Sequence, residues 1–116
     1  MSVLLCTWGD VVEGGTEEAL TVLRRLARAT DTTSAWLVLG PAGGQAGDLA
    51  ARQGIDRLIV VNDPKLAGFQ PDALVEALRQ VCEKTVPATV LFNQTVGARL
   101  VAPRLAARLG AAVVMN

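Results

Sequence analysis

The chain has 116 residues, one domain's worth, enough to bury on the order of two-thirds of its unfolded surface in a single core of radius of gyration about 13 Å. Apolar residues make up 51% of it, yet Trp8, Trp36, Phe69 and Phe92 are its only aromatics, so Ala, Val and Leu have to build that core. Eleven basic residues balance eleven acidic ones, and the arginines are scattered, which leaves no basic stripe for a nucleic acid.

The first predicted element is the apolar run Val3-Leu4-Leu5-Cys6, a central parallel strand covered on both faces. Gly9, Gly14 and Gly15 break it. Thr16 reads as a helix N-cap, with Glu17 and Glu18 in the first turn, where the helix dipole favours anions. Leu20, Leu23, Leu26 and Ala27 follow at helical spacing, and Arg24, Arg25 and Arg28 point outward near the end, giving a helix over Thr16 to Ala29. Ala35-Trp36-Leu37-Val38-Leu39 is the second strand, closed by Gly40-Pro41. A short helix through Ala50-Ala51-Arg52 ends at Gly54. Leu58-Ile59-Val60-Val61 is the third strand, stopped by Asn62-Asp63-Pro64.

Pro71 suits the first turn of the third helix, whose apolar face is Leu74, Val75, Leu78, Val81 and Cys82. Thr89-Val90-Leu91-Phe92 is the fourth strand. The fourth helix runs from Gly97 to Leu109, and Pro103 inside it either bends it or marks a late start. Ala111 to Met115 is the fifth strand. Five alternations of strand and helix, with no linker or repeat, predict an α/β domain. It is an open parallel sheet of about five strands with helices on both faces, Rossmann-like in class. Such sheets bind ligands where strand order reverses, outside the carboxyl ends of the strands. With the first strand central, strands two and three on one side and four and five on the other, the crevice walls are Thr7 to Gly15 and Asn93 to Gly97.

Chemistry is restricted by what is missing. With no His and no Tyr, Ser-His-Asp, Cys-His and tyrosine acid/base catalysis are excluded. The remaining Cys, Asp, Glu and Lys fall in no catalytic spacing, so no catalytic residue is assigned and an independent enzyme is not expected. Cys6 and Cys82 are two buried small hydrophobes, too few for a disulfide scaffold or a zinc site, and no metal ligand set is assigned. Ser2 to Cys6 lacks the basic flank of a signal peptide, and apolar runs of about five residues fall far short of the ~20 that cross a bilayer. A reduced cytoplasmic or organelle-matrix setting, without membrane insertion, is the expectation.

Gly43-Gly44-Gln45-Ala46-Gly47 lacks the Gly-Lys-Ser/Thr ending of a phosphate loop and follows the second strand, so it reads as a flexible connection. Asn93, Gln94, Thr95 and Gly97 lie between an apolar strand and a helix N-terminus, where free backbone N–H groups can hold an anion. The alternative is that Asn93 or Thr95 merely caps the helix. Trp8 and Asp10 face the same crevice by position, Trp8 either stacking on a base or anchoring a partner. Arg99, Arg104 and Arg108 form either a solvated helix face or part of a partner surface.

Two segments carry a family resemblance. Gly54-Ile55-Asp56-Arg57-Leu58-Ile59-Val60-Val61 resembles the third-strand motif of electron transfer flavoprotein alpha subunits. Thr95-Val96-Gly97-Ala98-Arg99-Leu100-Val101-Ala102-Pro103-Arg104-Leu105-Ala106-Ala107-Arg108-Leu109 is similar to that family's T-x-G…P-R-x-A-x-x-L segment, with Gly97, Pro103, Arg104 and Ala106 in register. Leu66 and Asp72-Ala73-Leu74 also match it. The resemblance covers nearly the whole chain as the amino-terminal domain of such a subunit.

It implies the nucleotide-binding α/β fold of adenine-nucleotide hydrolases and universal stress proteins. It also implies electron transfer from dehydrogenases through FAD, and a heterodimer with a beta-type subunit. In the family FAD sits mainly on a carboxy-terminal domain, whose motifs have no positions here, so this chain implies either a fragment or a separate shortened version and no flavin of its own. AMP occupies the beta subunit's equivalent crevice, and for this one weak binding or none is expected. Exposed apolar surface at the fifth strand leads to a homodimer as the expected state of the isolated chain. The alternative function is a free-standing nucleotide-binding module of the universal stress protein type. That family's glycine motif after the fourth strand is not matched, since only Gly97 and Gly110 follow it.

Overall fold

The computed structural model describes residues 1–9, 12, 15–41, 43–63, 66, 70–93 and 95–109, together with the backbone of 113–115. Along these residues strands and helices alternate as β1 (Ser2–Trp8), α1 (Thr16–Ala29), β2 (Thr33–Leu39), α2 (Gly43–Arg52), β3 (Arg57–Val61), α3 (Pro71–Thr85), β4 (Thr89–Phe92), α4 (Val96–Leu109) and β5 (Val113–Met115). Every ladder is parallel and the order is β3-β2-β1-β4-β5. The central position expected for the first strand is thus found, and β3 and β5 form the edges. The Cα radius of gyration is 12.7 Å.

Alternation along the strands divides the core in two. Val3, Leu5, Trp36, Val38 and Leu91 face α1 and α2, meeting Ala19, Leu20, Leu23, Ala46 and Leu49. Leu4, Cys6, Leu37, Leu39, Val90 and Phe92 face α3 and α4, meeting Leu74, Leu78, Val101 and Leu105. Strands covered on both faces have to be apolar at every position, which is why they read as unbroken runs. Right-handed crossovers explain the layering. The chain steps outward through α1 and α2 on one face, and α3 returns it across the other face to β4.

Several boundaries differ from the sequence reading. Thr16 is not the cap of α1 but its first residue, buried at 2% exposure; Gly15, at φ 89°, takes the cap position and its carbonyl accepts from Ala19 N at 3.1 Å. β1 continues through Thr7 to Trp8, because the Thr7 hydroxyl accepts a hydrogen bond from Trp36 Nε1 at 3.0 Å and so enters the sheet satisfied. β2 begins at Thr33, two residues early, for a similar reason: Asp56 takes the backbone N–H of Ser34 at 2.9 Å and its hydroxyl at 3.1 Å. The Ser34 oxygen in turn accepts from Asp56 N at 3.0 Å. That reciprocal lock, beside Gly54 at φ 67°, gives the Gly-x-Asp motif ahead of β3 a structural task.

The glycine-rich stretch is the largest correction. Gly43 to Gly47 is not a flexible connection but the opening half of α2, with Ala46 and Leu49 in the core. Pro103 does not mark a late start either, since α4 begins at Val96 and runs through it. Pro103 lies on the exposed side of the helix.

Candidate functional site

The crevice lies where β1 and β4 end side by side, Cys6 opposite Phe92 in register. Two glycine turns shape its rim. Gly9 N donates to Leu39 O at 3.2 Å, and Gly40 N donates to Val61 O at 2.8 Å, tying together the carboxyl ends of the first three strands. Gly40 sits at φ 97°, and a Cβ there would stand 3.2 Å from Gly9 O and 3.3 Å from Leu66 O. No side chain fits that approach without displacing backbone. Val12 N donates to Gln45 Oε1 at 3.3 Å, which fastens the loop after β1 to the first turn of α2. Gly40 and Gln45 are parts of the rim that periodicity could not single out; the Gly-Pro step at residues 40–41 was the available signal for the first.

Of the residues assigned to the crevice, Trp8, Asn93, Thr95 and Gly97 are brought to it, each half-buried. Asp10 and Gln94 lie outside the described residues. Trp8 packs edge-on against Phe92, ring centroids 6.0 Å apart and planes at 61°, so its indole belongs to the wall of the α3–α4 core. Thr95 caps α4: its hydroxyl accepts from Ala98 N at 3.0 Å and its carbonyl from Arg99 N at 3.1 Å. Asn93 O accepts from Thr95 N at 3.0 Å. The Thr95 hydroxyl and the Asn93 and Thr95 carbonyls are thus engaged in local structure.

Charge adds to this. Residues 7–15 contribute Asp10 and Glu13, residues 93–98 contribute no charge, and neither stretch contains Lys or Arg. From these two stretches a phosphate would meet helix N–H groups and no side-chain cation.

Cys6 and Cys82 are buried free thiols. Burial pushes the Cys82 thiol up to about 11 and Cys6 well above the ordinary thiol range, with a smaller contribution from Cys82. Both stay protonated and unreactive at neutral pH. Among the described residues no group of three or more His, Cys, Asp or Glu could hold a metal ion, and no helix is long and apolar enough to cross a membrane.

The charged groups that do interact lie on α3 and α4. Arg79 bridges Glu76 and Glu83 along α3. Between the helices, Arg104 pairs with Asp72 at 3.1 Å and Arg108 with Glu76 at 3.4 Å. Hydrogen bonding from Arg79 foremost, then from Gln80, together with the charges of Arg79 and Arg108, holds the Glu76 carboxyl down at about 2.

Comparison with known proteins places this arrangement. In overall structure the chain is similar to the universal stress protein of Archaeoglobus fulgidus solved in complex with dAMP, with a TM-score of 0.66 and 12% identity over 99% of this chain and 96% of that one. A universal stress protein solved in complex with cAMP gives a TM-score of 0.61 at 14% identity, over 99% of this chain and 96% of that one. At such identities the likeness establishes the fold alone.

Sequence comparison gives the family. The alpha subunit of the electron transfer flavoprotein of Chromohalobacter salexigens is 31% identical over 103 residues, 88% of this chain and 24% of that protein. That of Bacillus subtilis is 33% identical over 63 residues, 54% of this chain and 19% of that protein. The chain thus spans at most about a quarter of the length of these relatives. The family description "Electron transfer flavoprotein domain" matches residues 9–116. The resemblance read from the segments around Asp56 and Pro103 is borne out, and the chain belongs to the electron transfer flavoprotein domain family.

Proposed function

We propose that this chain acts as the amino-terminal domain of an electron transfer flavoprotein alpha subunit: a scaffold that carries no redox group and no active site of its own and works by packing against a beta-type subunit. FAD, in this reading, is held by protein outside residues 1–116. The observation that carries it is the match to alpha subunits along 88% of the chain. It is supported by a crevice in which Thr95 caps a helix, Trp8 packs on Phe92, and residues 7–15 and 93–98 contain no Lys or Arg. The test is association. Mixed with the electron transfer flavoprotein beta-type subunit of the same genome, the chain is expected to form a one-to-one complex by light scattering. Two species that stay separate at high concentration would refute the reading.

The universal stress protein likeness favours a second reading, a free-standing module with AMP or ATP in the crevice between Asn93 to Gly97 and Trp8. Calorimetric titration separates the two. Weak binding or none is expected, whereas a micromolar constant for AMP, abolished by Thr95→Ala, would promote the second reading.

A further inference from the structure

A second concavity lies at the amino ends of β2 and β3, the opposite end of the sheet from the crevice. It is a cavity of about 290 Å³ between the last turns of α1, the turn into β2 and the residues ahead of β3, and Arg24, Arg28, Asp31, Ser34 and Asp56 are in its lining. Arg24 and Arg28 stand one helical turn apart and so share one face of α1. Arg24 Nε is buried and has no hydrogen-bond partner among the described residues. The acceptors around the cavity are engaged elsewhere. Ala27 O accepts from Thr32 N at 2.9 Å. Asp56 Oδ2 accepts both bonds from Ser34, at 2.9 and 3.1 Å, and the Ser34 hydroxyl oxygen accepts from Asp56 N. Among the described residues Arg24, Arg28 and Asp31 enter no ion pair.

A guanidinium donor that is taken out of water and meets no acceptor destabilises the fold. Packing gives no reason for it, because an unbranched apolar side chain would cover the same surface as the arginine stem. Nε and one Nη together present two parallel donors, the spacing that matches the two oxygens of a carboxylate. Charge narrows the ligand further. Two arginines on α1 and the carboxylates of Asp31 and Asp56 cancel, so a phosphate dianion would meet as much repulsion as attraction. A molecule with a carboxylate at one end and an ammonium group close by meets arginine with the first and aspartate with the second. The volume lies just under the ~300–1,000 Å³ of sites for drug-sized ligands, which suits an amino acid and not a nucleotide.

We propose that this cavity binds a small zwitterion of the α-amino acid class. The Nε edge of Arg24 holds the carboxylate with Arg28 alongside, and Asp31 receives the ammonium group, while Asp56 keeps its structural bonds to Ser34. The site is separate from the crevice between β1 and β4 and independent of the heterodimer reading.

The test is an NMR titration of the whole chain that follows the Arg24 Nε–Hε signal, with the common L-amino acids in turn, acetate and inorganic phosphate as probes. At least one amino acid is expected to shift the signal saturably and to bind at least tenfold more tightly than acetate or phosphate. Arg24→Lys keeps the charge and loses the two-donor edge, and should weaken that amino acid at least tenfold. Asp31→Asn should bring its affinity down towards that of acetate. Arg24→Met separates binding from folding: the orphaned donor goes and the packing of the stem stays, so thermal stability should hold or rise while binding is lost. A marked loss of stability in Arg24→Met would mean that the guanidinium is satisfied within the protein, and overturns the proposal. So does the absence of a saturable shift with any amino acid. Acetate or phosphate binding as tightly as the best amino acid makes this a site for any anion, a protein carboxylate included, and overturns the assignment to a zwitterion.

Discussion

Glycines that look alike in sequence do different work in α2. A Cβ on Gly43 would run into the Val60 side chain, and valine is too stiff at χ1 to yield, whereas nothing lies within 4 Å of a Cβ on Gly44 or Gly47. Gly43→Ala is therefore expected to cost about 1–3 kcal/mol, as overpacking does. Gly47→Ala should stabilise by about 0.4–1 kcal/mol through a less flexible unfolded chain. Urea denaturation of the two variants checks this; effects of the same sign would contradict the packing described here. Tertiary contact, invisible locally, is what turned a glycine-rich stretch into a helix. Thr95 shows the complementary difficulty: the residue types that cap a helix are those that hold an anion, so the sequence left both readings open and the bond to Ala98 N decides for the cap in this structure. Glu76 carries a pH consequence. Its carboxyl lies at about 2 when folded and near 4.3 when unfolded, so its stabilisation is complete above the higher value and disappears as pH falls through the lower. The acid limb of the stability curve should flatten in Glu76→Gln, and the difference should shrink at ~1 M salt, since the pair is exposed. Superimposable acid limbs would speak against it.

At the scale of elements, the strands and helices α1 and α3 were legible because burial leaves a period: unbroken apolar runs where both faces are covered, and i, i+3, i+4 spacing where one is. The strand ends were not, because Thr7 and Ser34 enter the sheet through bonds to Trp36 and Asp56, distant in sequence. Helix α4 hid its duality for another reason, being apolar on both sides, so that periodicity could not separate core from surface. Its pairing with α3 through Arg104–Asp72 joins groups 52% and 92% exposed. Such a pair contributes little, and Asp72→Asn should shift unfolding by less than about 1 kcal/mol. A larger loss would mean that the ion pair, and not the interlocked Leu74, Leu78, Val101 and Leu105, holds the two helices together.

For the whole molecule, the parallel α/β class followed from alternation and was readable in advance, as was the family, from the segment around Pro103; the strand order, only supposed from the sequence, is supplied by the structure. Function was not readable in the same way. The crevice expected of this topology is present, and of the side chains assigned to it Trp8 packs on Phe92 and Thr95 caps α4. The account accordingly makes the domain a scaffold whose flavin lies elsewhere. An absorption spectrum of the purified chain, taken after incubation with excess FAD and gel filtration, tests this most directly: no flavin bands should travel with the protein, and a stoichiometric flavin spectrum that survives the column would contradict it.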